Sequence, residues 1–141
     1  MKITDIVLAS SSPRRREILT MLGIPFRVVV SGADEVISGA ASPEEYVLQA
    51  AKRKNEAVLE RLKEEASITP DTLIIACDTV VVYNGIVIGK PPDEPHAILT
   101  LGMLSDSWHS VLSGLSVYYR GRTVGTAART EVKFRALSEQ E

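Results

Sequence analysis

From Thr72 to Val82 the chain reads TLIIACDTVVV, an almost continuous apolar and β-branched stretch broken by a single carboxylate. A run of this kind suits a strand inside a sheet better than a surface strand with one wet face. Asn84-Gly85 follows as a two-residue hairpin signal, and Ile86 to Ile88 as the returning strand. A buried strand pair in the middle of a chain needs layers packed over it, and the rest of the sequence supplies them.

Punctuation on either side alternates strands with helices. A first strand is predicted over Ile3 to Ala9 and a helix over Pro13 to Leu22. Gly23 gives that helix a left-handed stop, Ile24 covers its last turn, and Pro25 prevents continuation. Phe26 to Val30 reads as a short strand. Ser42, Pro43, Glu44 and Glu45 open a long helix to about Ala66, whose apolar positions Tyr46, Val47, Ala50, Ala51, Val58 and Leu62 recur at helical spacing. A further helix is expected over Glu94 to Leu104. Two strands, Ser110 to Tyr119 and Arg122 to Phe134, are joined by a turn at Arg120-Gly121. Hairpins and crossovers both occur, so the expected class is α/β with a mixed, twisted sheet and flanking helices. Residues 1–141 read as one domain, without repeat or linker.

Composition narrows the function. With 45% apolar and 24% charged residues the chain has an ordinary globular balance, and a formal net charge of −2 argues against a protein that coats nucleic acid. No apolar run is long enough for a membrane helix and no secretory leader opens the sequence, so a cytoplasmic location is expected. Cys77 has no second cysteine to bridge, and with His96 and His109 the only histidines, structural zinc is disfavoured. A metal here would be a hard cation held by carboxylate and phosphate oxygens.

The local exception to the charge balance is Leu8 to Ile18, LASSSPRRREI. Pro13 suits the first residue of a helix and Ser12 its N-cap, yet Arg14, Arg15 and Arg16 fill the first turn, at the positive end of the helix dipole. Serine hydroxyls, helix N–H groups and guanidinium groups at one point form either a phosphate or carboxylate site or a solvated basic helix end. Asp78 is the second anomaly. Its apolar neighbours make an ionised carboxylate costly unless it is paired, so it is either a strand-end Asp bonded to a turn or a base or metal ligand. Glu35, Lys54 and Lys90, the last within Gly89-Lys90-Pro91, each read as surface residues in isolation.

A pattern unites them. Leu8-Ala9-Ser10-Ser11-Ser12-Pro13-Arg14-Arg15, Cys77-Asp78-Thr79-Val80-Val81, Gly89-Lys90-Pro91, and His109-Ser110-Val111 with Ser113-Gly114 stand in the order and spacing of the Maf-like nucleotide pyrophosphatases, a resemblance that covers essentially the whole chain. It implies two lobes around a cleft, as in Maf and inosine triphosphatase-like proteins. The implied reaction is hydrolysis of a nucleoside triphosphate to the monophosphate and pyrophosphate, and such proteins also carry an older association with inhibition of septum formation. Asp78 corresponds to the proton acceptor. Glu35, Lys54 and Lys90 match the other polar positions of the pocket, and Ser10, Arg14 and Arg15 match the phosphate-contacting loop. Arg14 and Thr79 occupy positions linked to base preference. The SPRR and DT combination resembles the subfamily acting on dTTP and UTP, with modified pyrimidine nucleotides as further candidates. The resemblance also implies a homodimer and a magnesium or manganese ion bridging phosphate oxygens to Glu35 and Asp78.

Two departures accompany it. Ser138-Glu139-Gln140-Glu141 reads as a capping box with no helix behind it, so the chain is expected to lack a C-terminal segment that such proteins carry. Cys77 stands where a small residue usually precedes the aspartate, and reads as a core thiol. His109 is expected to be structural, His96 solvated, and Trp108 part of the core or its rim. The alternatives are a non-catalytic nucleotide-binding or regulatory protein that keeps the anion site, and a nucleic-acid module built on the arginines.

Overall fold

The structure, a computed structural model, describes residues 3–30, 32, 39, 41–88 and 92–138. Its elements in chain order are β1 (Asp5–Leu8), α1 (Pro13–Met21), β2 (Arg27–Val28), α2 (Pro43–Glu64), β3 (Thr72–Tyr83), β4 (Ile86–Ile88), α3 (Glu94–Leu104), β5 (Trp108–Tyr119) and β6 (Arg122–Lys133). Every predicted element is present. The strand expected over Phe26 to Val30 shrinks to Arg27 and Val28, in register with Val7 and Leu8, and the Val29 N–H still donates to the Leu8 carbonyl at 3.1 Å.

Helix ends follow local chemistry with one correction. Gly23, at φ +72°, closes α1 by donating to the Thr20 carbonyl at 3.0 Å, and the Ile24 N–H reaches the Leu19 carbonyl at 3.1 Å. Ser42 caps α2 by accepting from the Glu45 N–H at 3.1 Å, and Asp93 caps α3 by accepting from the His96 N–H at 2.9 Å. Ser12, expected to cap α1, holds the N-cap position without a side-chain cap bond. The preceding loop turns so that the Ser12 N–H donates to Ser10 Oγ at 3.2 Å. The first turn of α1 is therefore left without a side-chain acceptor of its own.

The sheet is mixed, in the order β2-β1-β3-β5-β6 with β4 also on β3. β1 runs parallel to β2 and β3, whereas β3 pairs antiparallel with β4 and β5, and β5 with β6. One irregularity positions the site. β1 pairs with β3 only over Thr72 to Ile75 and β4 only over Val81 to Tyr83, while β5 follows β3 from Leu73 to Val82. Between β1 and β4, one edge of β3 has no strand beside it among the described residues.

α2 lies across β3 and β5 and gives the core its shape. Its C-terminal half places Val58 and Leu62 on Val7, Ala9, Ile74 and Ala76, and its N-terminal half places Val47 on Val82 and Leu112. Two apolar clusters thus lie either side of the unpaired β3 edge, and α2 and β3 join them. The helix comes very close at Gly114, where a Cβ would stand 2.2 Å from the Val47 carbonyl oxygen. At the far end of the sheet, Arg27 grips both oxygens of Asp5 at 2.9 and 2.8 Å, donates to Ser67, and shares Asp5 Oδ2 with the Thr72 hydroxyl. The Arg27 hydrogen bonds, aided by Thr72 and opposed by burial, hold the Asp5 carboxyl below the usual carboxylate range. α1 and α3 are less well covered: α1 buries no residue and α3 only Leu104.

Candidate active site

Strand alternation decides which face each β3 side chain takes. Asp78 stands opposite Gly114 on β5 and shares the face that α2 covers. Lys54 reaches it from α2, donating to Asp78 Oδ1 at 3.1 Å and to the Cys77 carbonyl oxygen at 3.1 Å. The two side chains are 17% and 15% exposed, so this is a largely sequestered ion pair, and neither residue is the surface group or strand-end turn ligand that each suggests alone. Removing Lys54 would leave the Asp78 carboxylate without its ammonium partner in a largely sequestered place. Asp78 Oδ2 carries no hydrogen bond to a described residue, which leaves that oxygen able to accept from water or to bind a hard cation.

Thr79, the next residue, takes the opposite face and faces Ser113 across the β3/β5 pair. Arg15 joins this group from the first turn of α1. Its Nη1 donates to Ser10 Oγ at 3.0 Å and its Nη2 to Thr79 Oγ1 at 3.2 Å, while Thr79 and Ser113 hydroxyls lie 3.3 Å apart. Arg16 donates to the Ser11 carbonyl at 3.3 Å. Arg14 is exposed and makes no hydrogen bond or ion pair to a described residue. Among the described residues no carboxylate pairs with any of the three arginines, so hydroxyl and carbonyl oxygens orient them without neutralising them. Positive charge is thereby concentrated where the helix dipole already adds to it.

The predicted site residues thus assemble as two groups, Lys54 with Asp78 and Ser10 with Arg15 and Thr79, on the two faces of β3 at its unpaired edge. Glu35 and Lys90, and with them the second half of the expected metal pair, lie outside the described residues. So does the capping-box reading at the chain end beyond Ser138. Among the described residues no three of His, Cys, Asp and Glu gather. Asp78 alone offers one hard carboxylate oxygen, which suits magnesium or manganese when phosphate oxygens complete the shell. Cys77 is half-buried rather than fully in the core. Trp108, at the start of β5, is 61% exposed and so lies outside the core. His109 is buried with Nδ1 unpartnered and its ring edge-on to Phe134 at 4.6 Å, a packing role, while His96 is an exposed partner of Asp93.

A family model described as Maf-like protein matches residues 5–141. The chain belongs to the Maf-like family. Its relatives include the dTTP/UTP pyrophosphatase of Bacillus cereus (strain ATCC 10987), 38% identical over 96% of this chain and 64% of the relative, and that of Colwellia psychrerythraea, 39% identical over 96% and 63%. The dTTP/UTP pyrophosphatase of Neisseria gonorrhoeae is 38% identical over 99% of this chain and 69% of its own length. This Maf-like chain therefore spans about two-thirds of the length of the relatives it matches. In fold it is similar to the Ham1 protein of Staphylococcus aureus, with a TM-score of 0.59 over 92% of this chain and 71% of that one at 16% identity. The likeness bears on fold alone and agrees with a mixed α/β architecture.

Two contributors escaped the sequence. Ser113 is recognisable as part of a motif, but only the β3/β5 register sets it opposite Thr79. The Cys77 carbonyl has no signature at all, since any residue type supplies one.

Proposed function

We propose that this chain is a nucleoside triphosphate pyrophosphatase acting on dTTP and UTP, releasing the monophosphate and pyrophosphate. The observation that carries the reading is the Lys54–Asp78 pair at the edge where β1 leaves β3, with the un-neutralised arginines of α1 beside it. The dTTP/UTP pyrophosphatase relatives support the choice of substrate.

In this reading water attacks the α-phosphorus, the bond from that phosphorus to the bridging oxygen breaks, and pyrophosphate leaves with the electron pair. Asp78 accepts the proton of the attacking water. Arg14 and Arg15, with Ser10, meet the phosphate oxygens, and Lys54 offsets charge that grows as the bridge breaks. Thr79, with Arg14, contacts the nucleoside and contributes to base preference. Lys90 and Glu35 belong to the same proposal on the strength of the motif. A magnesium or manganese ion held by Asp78, Glu35 and phosphate oxygens supplies further charge neutralisation when bound. A cytoplasmic homodimer is the expected setting; no described helix is long and apolar enough to cross a membrane.

The test is pyrophosphate release from a panel of pyrimidine, purine and modified pyrimidine triphosphates, with and without magnesium. Metal-dependent release from dTTP and UTP is expected. Saturable nucleotide binding without release identifies the non-catalytic alternative, and affinity for polynucleotide that falls steeply with salt identifies the nucleic-acid module.

A further inference from the structure

The residue after Lys54 is an asparagine that the motifs ignore. Asn55 is 1% exposed, on the face of α2 pressed against the sheet, amid Val47, Ala50, Ala51, Val58 and Leu62. Its amide Nδ2 lies 3.3 Å from the Ile74 carbonyl oxygen, 3.1 Å from the Ser116 carbonyl oxygen and 3.3 Å from Ser116 Oγ. Two of those three atoms can only accept, so the amide presents its NH2 and not its oxygen. The bonds span β3 and β5, the two strands that carry Asp78 and its neighbour Gly114.

Apolar contacts between a helix and a sheet are non-directional and tolerate sliding and rotation. A hydrogen-bonded amide does not, because a small displacement leaves the buried NH2 without its acceptors. α2 is thus fixed in height and rotation at Asn55, one residue from the ammonium that reaches Asp78 Oδ1 and the Cys77 carbonyl. Gly114 sets the distance: its missing Cβ lets the Val47 backbone approach.

We infer that Asn55 is a positioning residue that acts through Lys54, locking α2 onto β3 and β5 so that the Lys54 ammonium is held on Asp78. Its consequence for catalysis rests on the pyrophosphatase reading, but the positioning itself does not.

The decisive measurement is the side-chain ammonium resonance of Lys54 in protein carrying nitrogen-15 lysine, recorded cold and mildly acidic, where an ion-paired ammonium exchanges slowly enough to be seen. Lys54→Met identifies the signal. Asn55→Ala, and the milder Asn55→Ser in case the alanine variant does not fold, should lose or broaden that signal while circular dichroism remains native. A folded Asn55 variant with an unchanged Lys54 signal overturns the inference, as does a parent protein with no Lys54 signal. Activity then separates the two readings through a double-mutant cycle. Asn55→Ser or Asn55→Ala should lower kcat at least tenfold with KM within about threefold, and should cost nothing further in the Lys54→Met background. Additive losses overturn positioning through Lys54, whereas a Lys54→Met variant with parental kcat overturns the pyrophosphatase role of the pair and leaves the positioning to the resonance.

Discussion

Lys54 Nζ stands 3.1 Å from Asp78 Oδ1 and 3.1 Å from the carbonyl oxygen of Cys77, so one ammonium binds both the carboxylate and the backbone of the strand that carries it. The pair bridges α2 to β3 between the two apolar clusters and adds a directional contact to their apolar packing.

Asp78→Asn keeps the shape and removes the charge. Pyrophosphate release should fall by about 10²–10⁴-fold, the usual consequence of losing a general base. Circular dichroism should stay native. A rate within about threefold of the parent under saturating magnesium would falsify the role assigned to this carboxylate.

The arginines should separate by partner. Arg14 makes no bond to a described residue, so Arg14→Ala should leave the melting temperature unchanged and weaken triphosphate binding by about 1.5–3 kcal/mol, the scale of a charge-assisted hydrogen bond. Arg15 also ties Ser10 to Thr79, and Arg15→Ala should therefore reduce both binding and stability. Calorimetric titration with a non-hydrolysable triphosphate, alongside thermal melts, checks both; equal melts for the two variants would contradict the assignment.

Gly114→Ala puts a methyl group where the Val47 backbone already sits. α2 must move outward, at about 1–3 kcal/mol for an overpacked core. Denaturant unfolding should show the loss, and Lys54 should be carried away from Asp78 with its helix. An alanine variant as stable as the parent would mean that the close approach imposes no strain.

Acid should act on the Asp5 clamp. Its folded carboxyl titrates below the unfolded one, so the clamp's stabilisation is fully present above the unfolded value, near pH 4, and drains away as pH falls through the lower folded value. Asp5→Asn should lower stability at neutral pH and flatten this acid limb. Melts of both proteins between about pH 6 and about pH 2 decide it; parallel curves would show that the drop arises elsewhere.

Much of this protein was legible in its residues because the signals are local. Gly23, Ser42-Pro43 and Asn84-Gly85 mark ends and turns through backbone preferences that act over a few residues, and the apolar spacing along α2 repeats one face of a helix. The arginines in the first turn of α1 and the carboxylate in the middle of β3 stood out as electrostatic costs. The Maf-like motifs made them one candidate site, and family membership followed.

Tertiary structure alone decided how that site is put together. Only the register of β3 on β5 sets Thr79 opposite Ser113 and Asp78 opposite Gly114. Only the crossing of α2 over the sheet turns Lys54, solvated by its sequence, into a partner for the Cys77 carbonyl 23 residues and the Asp78 carboxylate 24 residues further along. Ser12 shows the converse, since a good capping residue holds the N-cap position without a cap bond while its N–H donates to Ser10 Oγ. Propensity and periodicity report what a segment prefers by itself. A contact between an ammonium and a carboxylate on different elements depends on how those elements pack, and no single segment carries that information.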